Sequence, residues 1–171
     1  MSLFEVFQWI QSTRPATALR GSGLTYPIIM TGHLTGMGLF GGMIAITDAR
    51  LLGFAMRKYP IADVVNQSRV WKRIGGVLTI SCGLMIWASK AEFYYYNPYL
   101  WAKWALLTLV GVHALVFRSV YSNPEALDAA PQVPVKAKIA AWMSLFLWVG
   151  LVTAGRLIGY WDVPDRLRPK Y

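Results

Sequence analysis

Four long apolar stretches divide this chain, at about residues 27–52, 70–89, 98–121 and 138–160, and its two histidines lie within them. Each stretch approaches the ~20 residues a helix needs to cross a bilayer. Backbone in hydrocarbon must satisfy its own hydrogen bonds, so each is expected to be a helix. The expected fold is therefore all-α: a polytopic membrane four-helix bundle, residues 1–171 forming one transmembrane domain. An ionisable side chain within such a helix points to function. His33 in the first stretch and His113 in the third are the foremost candidates.

With 56% hydrophobic and 15% charged residues, little polar chain remains to build a soluble active site. The net charge of +9 does not imply nucleic acid. Its cations sit at helix ends and in connections, as headgroup anchors do, with no basic stripe interleaved with aromatics. Cys82 is the only cysteine, so neither an internal disulfide nor a Cys-based metal motif is available. The N-terminus lacks the basic start and unbroken apolar core of a cleavable signal. Over about residues 2–12, Leu3, Phe4, Phe7, Trp9 and Ile10 alternate with Ser2, Glu5, Gln8 and Gln11, which predicts an amphipathic helix lying at the membrane interface. Arg14 to Gly23 is read as a loop.

The connection between the first two spans is read as a polar link, Arg50 to Arg73, with a short surface helix near Val64–Val70. It carries Arg50, Arg57, Lys58, Arg69, Lys72 and Arg73, which places it in the cytoplasm and both termini outside. Asp48 marks the same end and pairs with Arg50 or with Lys72/Arg73. Asn97 is a suitable N-cap ahead of Pro98. Tyr94, Tyr95, Tyr96, Tyr99 and Trp101 form an interfacial belt. Residues 123–134 are read as a surface loop and 162–171 as a polar tail.

The rise of 1.5 Å per residue sets approximate depths. His33 lies about 9 Å below the outer end of its helix, Lys103 about 8 Å and Arg156 about 6 Å. Three groups able to carry positive charge therefore share one level and suit an anionic or carbonyl-bearing ligand. Snorkelling of Lys103 and Arg156 to the headgroups is the plainer alternative. Gly32 and Gly36 flank His33, either as close-packing positions or as room for a flat cofactor. His113 lies about 22 Å down, so one iron shared by the two histidines would be strained. A soft-metal site from Met30, Met37 and His33 is a further possibility. Hydrolase, kinase and phosphate-loop patterns are absent.

Several phrases carry a resemblance: Trp9-x-x-Ser12, Ala18-Leu19-Arg20-x-Ser22, Tyr26-Pro27, His33-Leu34-x-Gly36, Asp48-x-Arg50-Leu51-Leu52-Gly53, Asn97-Pro98 with Lys103, and Ala154-Gly155-Arg156-Leu157-Ile158-x-Tyr160. Together they resemble an uncharacterised family of bacterial four-helix inner-membrane proteins. The last is also faintly similar to cytochrome b561-type and copper-resistance-type membrane proteins. The resemblance implies a multi-pass protein of the bacterial inner membrane, with His33, Lys103 and Gly155–Arg156 at family-like positions.

These readings converge on a redox membrane subunit rather than a self-contained enzyme. It would bind a b-type haem or a quinone through His33, Lys103, Arg156, Gly32 and Gly36, with His33 and His113 as the possible metal ligands. Two alternatives stand beside it: a non-catalytic anchor or accessory subunit of a larger complex, and a copper or small-solute carrier. The expected partners are membrane lipid and other subunits or further copies of this chain.

Overall fold

A capping box starts the chain: the Glu5 N–H donates to Ser2 Oγ (3.3 Å) and the Ser2 N–H to Glu5 Oε2 (3.0 Å). In a computed structural model describing residues 2–162 and residue 164, this box opens helix α1 (Leu3–Ser12). Then follow α2 (Arg14–Gly21), α3 (Thr25–Leu51), α4 (Ile61–Ser89), α5 (Ala91–Tyr95), α6 (Pro98–Val116), α7 (Arg118–Ser122), α8 (Glu125–Asp128) and α9 (Val135–Leu157), which runs into a 3-10 turn, Ile158–Tyr160. The described residues contain no strand. The tail expected over 162–171 lies largely outside them.

Three helices are long and apolar enough to cross a membrane: α3, α6, and α9 with its 3-10 turn. The sequence reading expected four. The second expected span is instead the end of a longer helix, α4, whose 29 residues include the polar segment taken for a link and a short surface helix. Its charges are real, but Ile61, Val64, Val65 and Ser68 recur at helical spacing and are buried. Arg14–Gly21 is likewise a helix rather than a loop. Pro15 sits at its start, where a missing N–H is tolerated, and Ala16 and Leu19 are buried one turn apart. Short helices α5 and α8 occupy the other two connections, and the third apolar stretch breaks at Phe117, so that α7 turns inward.

The backbone packing runs α4–α3–α9–α6. α3 and α4 approach closest where Gly36 faces Gly75, and the Trp148 indole of α9 lies on Gly41 of α3. α4 and α6 meet edge-on through Trp87 and Trp104, ring centres 5.9 Å apart. Much of the middle of the bundle faces outward, with Ile80, Leu109 and Phe146 all exposed. The buried apolar clusters lie instead at its two ends.

At one end Phe7 of α1 packs with Ala91 and Leu100, covered by Trp87, Tyr95 and Ile158. Arg20 bridges helix C-termini here, donating to the carbonyls of Ser89 (3.1 Å) and Gln11 (3.0 Å). A cation there also favours the negative end of each helix dipole. Asn97, fully buried, caps α6 through its Oδ1 (3.0 Å from the Tyr99 N) and donates to the Ile158 carbonyl (3.1 Å), so one side chain joins the start of α6 to the end of α9. At the other, basal end Leu51, Ile61, Val65, Phe117, Val120 and the Ala137/Ala140/Ala141 face of α9 form the larger core. α3 stops there on Gly53, at φ +77°, with Gly53 N–H on the Arg50 carbonyl and Phe54 N–H on that of Ala49. α4 starts under the Asp128 carboxylate of α8, which accepts from the N–H groups of Ile61 and Ala62, both at 2.8 Å.

Candidate functional site

His33 projects from α3 onto α4. Its Nδ1 lies 2.8 Å from the Thr79 carbonyl, and a carbonyl only accepts, so Nδ1 carries the proton. In a neutral ring Nε2 is then an acceptor or metal ligand. The ring lies along Gly83, where a Cβ would come within 2.9 Å of Cε1. Gly83 therefore makes the seat and Thr79 orients the imidazole. A backbone carbonyl holding one nitrogen so that the other stays free is the usual support of a working histidine.

The structure brings Lys103 of α6 to the same region. His33 and Lys103 interact electrostatically, and Lys103 Nζ lies 3.7 Å from where a Gly155 Cβ would stand on α9. The lack of a side chain at Gly155 thus makes room for the ammonium. Arg156 turns elsewhere. It is exposed, donates to Tyr160 Oη (2.8 Å) and stacks on that ring at 4.9 Å.

Gly32 and Gly36 face α4 directly. A Cβ at Gly32 would meet the Cys82 sulfur at 3.2 Å, and one at Gly36 would meet Thr79 and Gly75 atoms at 2.7–3.0 Å. Both glycines therefore lie in close helix contact with α4. Two polar atoms of the same stretch of α4 are buried without a hydrogen-bond partner: Thr79 Oγ1 and Trp87 Nε1. Trp87 stands one turn beyond Gly83. The site is therefore an imidazole acceptor and an ammonium donor, set between α3, α4, α6 and α9, while the Trp87 ring packs on Phe7 and Trp104.

His113 is used differently. It is buried, and its Nε2 donates to the Ala140 carbonyl at 2.9 Å, joining α6 to α9. The two histidines act on different helix pairs. Among the described residues no three His, Cys, Asp or Glu side chains gather as a metal-binding group. Outside His113, the α6–α9 face forms a groove of about 580 Å³ lined by apolar residues such as Leu109, Trp142 and Phe146.

Sequence reasoning had not assigned Thr79, Gly83, Trp87 or Trp104 to the site. Thr79, Gly83 and Trp87 recur every four residues on α4, which was the available signal. Depth along separate helices had suggested Arg156, but depth does not fix the direction in which a side chain points. Residues 8–161 match the model of DUF6644, a family of unknown function, and the chain belongs to that family. No curated protein and no solved structure matches it.

Proposed function

We propose that this protein is an integral membrane redox subunit that holds a quinone head at His33 and Lys103 and passes electrons to or from a partner. In this reading α4 joins α3, α6 and α9 in crossing the bacterial inner membrane. The basic basal end lies in the cytoplasm and both termini in the periplasm. The observation that carries the reading is the Thr79-fixed imidazole of His33, with Nε2 left as an acceptor in the neighbourhood of the Lys103 ammonium.

A quinone has two carbonyl oxygens, which become hydroxyls on reduction. His33 Nε2 accepts from a hydroxyl, whereas Lys103 Nζ donates to a carbonyl. The residues thus match both redox states with complementary hydrogen bonds. A b-type haem would find an axial nitrogen in His33, but the close packing of Gly32 and Gly36 on α4 favours the smaller quinone head. The engagement of His113 Nε2 by the Ala140 carbonyl favours a role for His113 apart from the His33 site.

The purified full chain titrated with a short-chain benzoquinone tests this, read by quenching of tryptophan fluorescence. Replacing His33 or Lys103 by alanine is expected to weaken binding about tenfold each, the loss of roughly one hydrogen bond to a polar or charged partner. A reduced-minus-oxidised optical spectrum reports any haem in the same sample. Unchanged quinone affinity in both variants refutes the assignment. The reading then in front is a non-catalytic anchor or accessory subunit. One observation favours that second reading: Gly38 and Gly42 of α3 face open space, as a surface for a partner helix would.

A further inference from the structure

Asp48 is 1% exposed at the basal end of α3, far along that helix from His33. Five elements surround its carboxyl group. Tyr121 of α7 donates its hydroxyl to Asp48 Oδ1 at 3.0 Å. Lys72 of α4 gives its ammonium to the Thr47 hydroxyl of α3 at 3.1 Å and stands 6.0 Å from the centre of the Tyr121 ring. Arg69 of α4 donates to the Tyr121 carbonyl at 2.9 Å and acts electrostatically on Lys72. His113 of α6 faces the carboxylate, with its ring 6.3 Å from that of Tyr121. The Ser144 hydroxyl of α9 interacts with the same carboxylate, yet Oδ2 is buried and without a hydrogen-bond partner.

This is an unusual way to keep a carboxylate. A buried anion needs its lone pairs satisfied, and an unmet one costs several kcal/mol. Here the only groups on the carboxylate among the described residues are neutral hydroxyls, and Oδ2 has no partner. The nearest ammonium is bonded to a hydroxyl one residue away. A structural salt bridge would place that ammonium on the carboxylate, and an N-cap role would place backbone N–H groups there. Neither is present. A proton would complete Oδ2: a carboxylic acid can donate from Oδ2 to the Ser144 hydroxyl while Oδ1 still accepts from Tyr121.

We propose that Asp48 is a reversible proton-binding site, a second polar centre at the basal end that loads one proton from solution between Tyr121, Lys72, His113 and Ser144. The inference does not depend on the quinone reading. Loading changes only the O–H bond: the carboxylate takes one proton and no electron moves. Lys72 and Tyr121, next to the carboxyl, are both half-buried. Loading makes Oδ2 a donor to α9, so proton occupancy and the contact of α3 with α9 become linked.

The test uses the full chain in detergent, titrated from alkaline to mildly acidic pH with infrared difference spectra and proton counting. The wild-type protein is expected to take up a proton together with a protonated-carboxyl C=O band. Asp48→Asn should remove both, and Tyr121→Phe, which keeps the carboxyl but removes its donor, should move the band to higher frequency. The proposal is overturned if the band and the uptake persist in Asp48→Asn. It is equally overturned if the wild type has no such band, or one that is present at every pH. Should Asp48→Asn fail to fold, Tyr121→Phe decides, and an unmoved band rejects the assignment.

Discussion

Replacing Gly36 by alanine tests the packing and the site together. A Cβ there would lie 2.7 Å from Thr79 Oγ1, 2.8 Å from Thr79 N and 3.0 Å from the Gly75 carbonyl oxygen. Two of these three are backbone atoms, so no rotamer change relieves the clash. α3 and α4 must separate by about 0.5–1 Å to restore ordinary contact, an overpacking that costs about 1–3 kcal/mol. Gly38 provides the control. It lies on the same helix with nothing within 4 Å, so Gly38→Ala should be neutral or stabilise by up to ~1 kcal/mol through helix propensity. Separation of the helices also lengthens the 2.8 Å bond from His33 Nδ1 to the Thr79 carbonyl, so Gly36→Ala should lose quinone affinity as well. Reversible unfolding in mixed detergent micelles measures the stability difference. If Gly36→Ala proves as stable as Gly38→Ala, the close approach of α3 and α4 is wrong, and the seat built for His33 with it.

Three further outcomes follow from the geometry. Asp128→Ala leaves the first two N–H groups of α4 without their acceptor, and a loss of about 1–2 kcal/mol is expected in the same unfolding assay; an unchanged midpoint would mean that α4 is capped by water. His113→Ala removes a buried ring and its bond to the Ala140 carbonyl, with an expected loss of about 2–3 kcal/mol and unaltered quinone affinity, whereas a loss of affinity would place His113 in the ligand site. Glu125, held below the usual carboxylate range by its own backbone N–H and then by the Asn66 amide, contributes stability above the ordinary carboxylate pKa and loses it as pH falls through its lower folded value. The stability gap between the wild type and Asn66→Ala should therefore close in acid, and a gap independent of pH argues against the Asn66–Glu125 bond.

How much was legible in the chain depends on the range of each interaction. Apolar length predicts helices over most of α3, α6 and α9, because hydrocarbon or a protein core demands internally bonded backbone wherever apolar residues run long. The Ser2 and Asn97 caps are local, acting within three residues, and the amphipathic α1 is written in the alternation of Phe4, Phe7 and Ile10 with polar neighbours. His33 and Lys103 could be named because ionisable groups are rare in apolar stretches. The first half of α4 was not legible: its polar residues look like a link until Asp128, 66 residues from Ala62, caps it, and until Ile61 and Val65 find Leu127 and Ala140 in the basal core. Nor could spacing give the tautomer of His33, which a carbonyl 46 residues away sets, or the turning of Arg156 toward Tyr160. Asp48 reads as one end of an anchoring cluster in the chain and becomes a buried centre only when α4, α6, α7 and α9 close around it. Helix formation and capping depend on neighbours in sequence. Burial, hydrogen-bond partners and the direction of each side chain are properties of contacts between helices, and those exist only once the chain has packed.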